Sequence, residues 1–216
     1  MKKVIALLCL CVLSISGVFA NYSYNEMVDA ANDLAQREII KDKSITPSEY
    51  NLNDNVLRQE IGLIAMRLAK LEKKSSCSNI FSDISATNPN DWACVHIEPL
   101  VEKELISKND VFRPGDNITK AESLKMLIKA IGFDFEYDAS SSVSWQKQYV
   151  DFAVENEILD NFTDYNTLAS RGWVFMVANH TIVVKEKQEI IEKKKIDEGL
   201  YSDEVMKDVE YFLQNF

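Results

Sequence analysis

Apolar residues recur at spacings of three and four in six segments between residues 27 and 182, and this periodicity predicts six amphipathic helices. Every second segment follows a four-residue box with a basic residue at its second position. The boxes are Leu57-Arg58-Gln59-Glu60, Thr119-Lys120-Ala121-Glu122 and Ser170-Arg171-Gly172-Trp173. The segment before each box ends in an acidic-aliphatic triplet: Glu38-Ile39-Ile40, Glu104-Leu105-Ile106 and Glu157-Ile158-Leu159. The recurrence predicts an internal repeat and an all-α fold of three helix–loop–helix units.

The middle unit carries two further motifs. It opens with Phe81-Ser82-Asp83 and Trp92, and Phe112-Arg113-Pro114-Gly115 separates its two helices. The third unit has Trp145 as its aromatic counterpart, whereas the first unit lacks both motifs. Together with the boxes, these motifs resemble the S-layer homology family, whose hallmark is a Thr-Arg-Ala-Glu-like box at the start of the second helix of each repeat. The resemblance covers about residues 27–182 and is closest in the middle unit.

The resemblance implies a specific architecture. Three repeats form a pseudo-threefold arrangement, the box-bearing helices form a central bundle, and a helical tail follows at the C-terminus. The predicted segments are a signal peptide at 1–20, a diverged repeat at 21–72, repeats at 73–134 and 135–182, and a charged helical tail at 183–216.

Within the tail, the segment Lys185–Asp197 is dense in Lys and Glu, which predicts a solvated helix. A final short helix is predicted to carry one apolar face, formed by Val205, Val209, Phe212 and Phe216. This face either docks onto the repeat core or contacts a partner protein.

The first 20 residues have the pattern of a signal peptide. Lys2 and Lys3 precede a short apolar run at Val4–Leu13, and Val18-Phe19-Ala20 resembles a cleavage site. The run is too short to span a bilayer. We therefore expect export with cleavage rather than an uncleaved anchor, and no membrane insertion afterwards. Combined with the resemblance, this predicts an exported protein of the bacterial cell surface, cell wall or envelope.

The charge of the chain restricts its partners. The net charge is −10, and loss of Lys2 and Lys3 with the signal peptide makes it −12. A chain this acidic repels nucleic acid and anionic membranes at long range, so nucleic acid is not an expected partner. Any anionic ligand must be held by a local cluster of basic groups.

Sequence signals for catalysis, cofactors and metals are sparse. The chain has no Gly-rich phosphate loop, no His-Glu-x-x-His motif and no Gly-x-Ser-x-Gly motif. Neither an enzyme nor a cofactor is predicted, and an enzyme of unknown chemistry is the weakest alternative. The mature chain retains Cys77 and Cys94. An oxidising compartment favours a disulfide between them, and two thiols alone make a poor zinc site, so no metal is predicted.

The boxes have both a structural and a functional interpretation. Thr119 and Glu122 have the spacing of a capping box, which stabilises a helix start without any ligand. The basic residue is harder to explain, because the helix dipole disfavours a cation in the first turn. Arg58 and Arg171 occupy the place that Lys120 takes in its box. These residues either form salt bridges to internal carboxylates or bind an anionic ligand.

The resemblance favours the ligand. In the family, grooves between repeats bind cell-wall polysaccharide, often with a pyruvate ketal whose carboxylate contacts the basic residue. The candidate ligand-binding residues are accordingly Arg58, Lys120, Arg171, Trp92, Trp145 and Asp83. The two tryptophans have core packing as the alternative role, and Asp83 has a turn or a cap.

The boxes also depart from the family pattern. Leu57 replaces the threonine in the first box, and Gly172 and Trp173 replace the usual Ala and Glu in the third. The groove at Lys120 is therefore the best candidate site. The leading hypothesis is a non-catalytic protein that binds cell-wall polysaccharide. The alternative is an exported helical-repeat scaffold for protein–protein interaction, in which internal carboxylates engage the basic residues.

Overall fold

The computed structural model describes residues 22–85, 91–198 and 207 of the 216-residue chain. Its α-helices are α1 (Tyr24–Gln36), α2 (Arg58–Leu68), α3 (Asp91–Glu102), α4 (Lys120–Ile131), α5 (Trp145–Glu155) and α6 (Arg171–Glu198), with a short 3-10 helix at Pro47–Tyr50. The described residues form no β-strand, which confirms the predicted all-α class. The predicted signal peptide and the apolar face of the final tail helix lie outside the described residues.

The three box-bearing helices occupy the centre. Helix α4 packs against both α2 and α6, while α3 packs on α2, α5 on α4, and α1 on α6. Each outer helix therefore covers a central helix that belongs to a neighbouring unit. Because α1 near the start of the chain packs on α6 near its end, the bundle is closed. Fully buried apolar side chains on the three central helices form its middle, including Ile61, Leu124 and Val174.

The loops ahead of the boxes are joined in a closed ring of backbone hydrogen bonds. The amide of Val56 donates to the carbonyl of Ala169, the amide of Ala169 to Ile118, and the amide of Ile118 back to Val56, each at 2.9 Å. Each loop thus donates to one neighbour and accepts from the other, so backbone groups at the centre satisfy one another. The ring brings the three helix starts together. Division of the chain into three family repeats remains a prediction.

The acidic-aliphatic triplets are helix terminators. Glu38, Glu104 and Glu157 have φ angles of 59°, 57° and 57°, in the left-handed region. The amide that follows each of them donates to a carbonyl five residues earlier, at 2.8–2.9 Å, from Ile39 to Leu34, Leu105 to Leu100 and Ile158 to Ala153. This is the Schellman arrangement, in which glycine is the usual left-handed residue. The recurrence was evident from the sequence, but glutamate gives no signal for this conformation.

Helix α6 continues without a break across the predicted boundary between 182 and 183. Glu186 pairs with Arg37 at 2.6 Å, and Gln188 donates to Asn156 at 3.0 Å. The Lys185 ammonium lies 5.5 Å from the ring centre of Phe133. The segment that was predicted to be solvated is therefore half-buried at its beginning and tied to the rest of the bundle. None of the helices in the described ranges has the length and apolarity needed to cross a membrane.

The connection before α3 is held by a disulfide and a buried carboxylate. Cys77 and Cys94, the predicted pair, are joined with their Cα atoms 5.6 Å apart. The Glu98 side chain is 1% exposed and forms an ion pair with Lys74 at 3.0 Å. Its carboxylate also accepts from the amides of Ser78 at 2.8 Å and Ile80 at 3.1 Å. Burial raises the pKa of Glu98, but these hydrogen bonds and Lys74 outweigh it and the pKa is lowered overall.

Candidate functional site

The boxes start their helices as capping arrangements. The Thr119 hydroxyl accepts from the amide of Glu122, and the Glu122 carboxylate accepts from the amide of Thr119, both at 3.2 Å. In the first box only the carboxylate half is available, and Glu60 accepts from the amide of Leu57 at 2.9 Å. In the third box only the hydroxyl half is available, and Ser170 accepts from the amide of Trp173 at 3.3 Å. Each departure from the pattern thus removes one capping bond.

The two box arginines are engaged inside the molecule. Arg58 donates from Nε to the carbonyl of Phe112 at 2.9 Å and from Nη1 to Glu122 at 2.8 Å. Its guanidinium also lies 5.2 Å from the ring centre of Phe112, and its side chain is 13% exposed. Burial lowers the pKa of Arg58, and Glu122 acts in the opposite direction. The guanidinium therefore binds both the loop before the middle box and the box itself.

Arg171 repeats this geometry one step around the ring. It donates from Nε to the carbonyl of Tyr50 at 2.9 Å and from Nη1 to Glu60 at 2.7 Å. The box carboxylate of one unit therefore serves twice, as part of a cap and as the partner of a neighbouring arginine. Both arginines are engaged as the scaffold hypothesis expects.

Lys120 differs because its neighbour offers no carboxylate. The position that Glu122 and Glu60 occupy in their boxes is Trp173 in the third box. The Lys120 ammonium lies 5.4 Å from the ring centre of Trp173 and, within the described part of the chain, forms no ion pair. Phe162 packs edge-on against Trp173 with 6.2 Å between ring centres. A half-buried cation thus lies beside an aromatic group.

We call this group the Lys120 surface, formed by Lys120, Phe162, Tyr165 and Trp173. The three aromatic side chains are half-buried, and the rings of Phe162 and Tyr165 lie 6.0 Å apart. Arg113 is exposed and contacts Glu122, in the turn that follows Lys120, at 3.3 Å. In the sequence, Trp173 was noted only because it replaces the usual glutamate of the box. It holds the fourth position of its box, which in the other two boxes contacts the basic residue of a neighbouring box. That position is the sequence signal that Trp173 faces Lys120.

Asp83 holds the loop that precedes the middle box. Its carboxylate accepts from the amide of Phe112 at 2.8 Å and from the amide of Arg113 at 2.6 Å. Arg113 has a φ angle of 62°, so the two bonds stabilise a left-handed turn. The Phe81 and Phe112 rings pack 5.4 Å apart below it. This geometry corresponds to the turn role that was the alternative for Asp83.

The two candidate tryptophans lie in different surroundings. Trp92 is 39% exposed near the start of α3, with its ring 6.0 Å from that of His96. Trp145 begins α5 and contacts Lys125, whose ammonium lies 4.9 Å from its ring centre, and the Tyr149 ring. The described contacts of Trp145 thus join it to Lys125 rather than to Lys120. Binding of ligand by any of the six candidates remains a prediction.

The glycine in the third box has a steric cause. A Cβ atom at Gly172 would collide with the Met27 side chain and lie 3.1 Å from the carbonyl oxygen of Leu52. That carbonyl already accepts from the Gly172 amide at 2.8 Å, so the backbone cannot easily retreat. The box departs from the family pattern here because α1 crosses α6 closely at this point.

We expect Gly172→Ala to lower the free energy of unfolding by about 1 kcal/mol, because the added methyl displaces the Met27 side chain and presses on the Leu52 carbonyl. Gly115→Ala is the matched control, since a Cβ there meets nothing within 4 Å. Urea unfolding followed by circular dichroism measures both. Equal stability of the two variants would contradict the steric explanation.

Metal-binding groups are few in the described ranges. Only Cys77, Cys94 and Glu98 place three potential ligand atoms within 4.8 Å of one another there, and the two sulfurs are joined in the disulfide. These residues form a disulfide next to the ion pair of Glu98 with Lys74.

The fold and the helix starts define an all-α protein whose loops close into a ring around three central helices. Residues 80–122 match the family model of the S-layer homology domain. The matched residues include Asp83, the 112–115 loop and the box at Thr119–Glu122. The resemblance noted in the sequence is confirmed for these residues, which lie in the middle unit.

A similar curated protein is the Middle cell wall protein of Brevibacillus brevis. The two chains are 24% identical over 147 residues, which is 66% of this chain and 13% of the relative. The chain thus corresponds to a small part of that protein's length.

Proposed function

We propose that this chain is a non-catalytic cell-surface protein that binds an anionic polysaccharide of the bacterial cell wall at the Lys120 surface. The observation that carries the proposal is the difference between the box cations: glutamates neutralise Arg58 and Arg171, whereas Lys120 faces Trp173. The S-layer homology domain and the name of the relative support a location at the wall.

The chemistry of the Lys120 surface suits an acidic sugar. The ammonium group donates charge-assisted hydrogen bonds to a carboxylate such as that of a pyruvate ketal. Phe162, Tyr165 and Trp173 supply apolar faces for the C–H groups of the sugar ring. Because the chain carries a large net negative charge, a cation without an internal counter-charge is the feature that gives an anion a favourable place to bind.

We also propose that residues 21–72, 73–134 and 135–182 are three repeats of the family, of which two have their box cations committed to the scaffold. The backbone ring, the equivalent arginine contacts and the three left-handed glutamates support this assignment. Anion binding is then concentrated in one of the three boundaries between repeats.

Co-sedimentation with purified sacculi from the source organism tests the proposal. The full mature chain is expected to pellet with sacculi that retain their wall polymer and to stay in solution when the polymer has been stripped. Lys120→Met is expected to weaken binding at least about tenfold, the equivalent of about 1.4 kcal/mol. Lys108→Met is the matched control, because it removes the same charge from an exposed position.

The outcome is decisive in both directions. If Lys120→Met binds as well as Lys108→Met, the Lys120 surface is not the binding site. If the wild-type chain pellets equally with stripped sacculi, the polysaccharide is not the ligand.

The second candidate function is an exported scaffold for another protein. The ion pairs of Arg58 with Glu122 and of Arg171 with Glu60 favour it, because they give these cations an internal role. Absence of any polymer-dependent binding in the same assay would support this function.

A further inference from the structure

A second cation lies among aromatic side chains on another face of α4. The Lys125 ammonium is 4.9 Å from the ring centres of Tyr137 and Trp145 and 5.7 Å from that of Tyr149. Tyr149 is completely buried, whereas the other three side chains are half-buried. We call these four residues the Lys125 cluster. It lies where α5 packs on α4.

Packing alone does not call for a cation at this position. Lys125 lies five residues after Lys120, and the residues five positions after Arg58 and Arg171 are Leu63 and Met176. Both belong to the hydrophobic core or pack against it. Helix α4 therefore has a lysine at a position where the other two central helices have an apolar side chain.

The cluster contains four groups that can donate hydrogen bonds. They are the Lys125 ammonium, the Tyr137 and Tyr149 hydroxyls and the Trp145 indole N–H. None of them forms a hydrogen bond or ion pair within the described part of the chain, and the Tyr149 hydroxyl is buried without a partner. A buried hydroxyl in this state destabilises the fold. A cation that has only aromatic rings as neighbours, with no carboxylate among them, suits an anion.

The charges near Lys125 leave its ammonium group without a neighbouring negative charge. Burial lowers the pKa of Lys125, the neighbouring Lys129 lowers it further, and Glu136 acts in the opposite direction. Glu136, however, already pairs with Lys129 at 3.1 Å. The ammonium is stabilised by the faces of the three rings, and no carboxylate in the described ranges contacts it.

We propose that the Lys125 cluster binds the carboxylate of an acidic sugar, with the sugar ring against Trp145 and Tyr137. The ammonium binds the carboxylate, and the Trp145 indole N–H and the Tyr137 hydroxyl belong to the two rings nearest to it. The half-exposed rings cover the apolar C–H groups of the sugar, which a free carboxylate lacks. This site goes beyond the Lys120 surface and does not depend on it.

Titration of the mature chain with D-glucuronate, followed by the indole ¹H–¹⁵N resonance of Trp145, tests the inference. Trp145→Phe assigns the resonance. We expect a saturable shift with glucuronate, no shift with D-glucose at the same concentration, and a smaller shift with acetate. Lys120→Met is expected to keep the shift, because it leaves the cluster intact.

Lys125→Met is the decisive variant, since methionine already occupies the equivalent place in α6 at Met176. It is expected to weaken glucuronate binding at least about tenfold. Lys125→Gln, which keeps a polar tip, is a second variant with the same expected loss should the first fail to fold.

An absent glucuronate shift, or an unchanged shift in both Lys125 variants, would overturn the inference. Equal shifts with acetate and glucuronate would overturn its sugar component. Failure of Lys120→Met to affect sacculus binding would count against the proposed function alone.

Discussion

Glu98→Ala is expected to lower the free energy of unfolding by about 2–4 kcal/mol, because it leaves the amides of Ser78 and Ile80 without their acceptor, although Lys74 keeps its contact with Glu102. The lost carboxylate accepts from Ser78 and Ile80 and pairs with Lys74. Urea unfolding of the oxidised protein at neutral pH measures the loss.

The matched control is Glu102→Ala. Glu102 also pairs with Lys74, at 2.8 Å, but its side chain is 53% exposed, so its loss is expected to cost less than about 1 kcal/mol. Similar effects of the two substitutions would show that Glu98 is not the group that holds this connection.

The same carboxylate predicts an acid limit. Because the pKa of Glu98 is lowered in the folded chain, its contribution is fully present above its ordinary value of 4.5 and is lost as the pH falls below that value. Unfolding curves between pH 7 and pH 3 are therefore expected to converge for wild type and Glu98→Gln at the acid end.

Arg58→Met is expected to lower the free energy of unfolding by about 3 kcal/mol, since it removes a charged hydrogen bond and leaves the Phe112 carbonyl without its donor. Lys120→Met is expected to cost only about 0.5–1 kcal/mol, because it removes a single cation–π contact. Thermal and urea unfolding of the two variants measure this difference, with wild type as reference.

Wall binding adds a second comparison for Arg58. If Arg58→Met keeps its stability and loses sacculus binding, the arginine contacts ligand and the structural role assigned here is wrong. The opposite pattern, lost stability with binding retained in the folded fraction, is the expected one.

Local signals determined the helices that the sequence predicted well. Helix α4 begins after the Thr119 cap and ends at Gly132, whose φ of 81° is the conformation that glycine favours. The segment before the middle box was expected to end in the triplet Glu104-Leu105-Ile106, but α3 ends at Glu102 because Glu104 takes a left-handed conformation. No local pattern marks a glutamate for that conformation, so periodicity alone placed the end too late.

The candidate site depended on contacts between distant residues. The sequence identified the box cations, but the direction in which each one reaches is set by the sense of the backbone ring. Arg58 contacts Glu122 and Lys120 contacts Trp173 only because each box packs against the box of the next unit around the ring. The pairing of Trp145 with Lys125 likewise follows from the packing of α5 on α4, which spacing along the chain does not specify.

The closed ring has a consequence for biogenesis. Its last joint couples Arg171 to Glu60, which lie 111 positions apart, and the Val56 amide has no ring acceptor until Ala169 arrives. A chain that leaves the ribosome amino end first can therefore complete the ring only after most of its length has been made. Because this closure joins residues far apart in the sequence, it is expected to slow folding and to be one of its last steps.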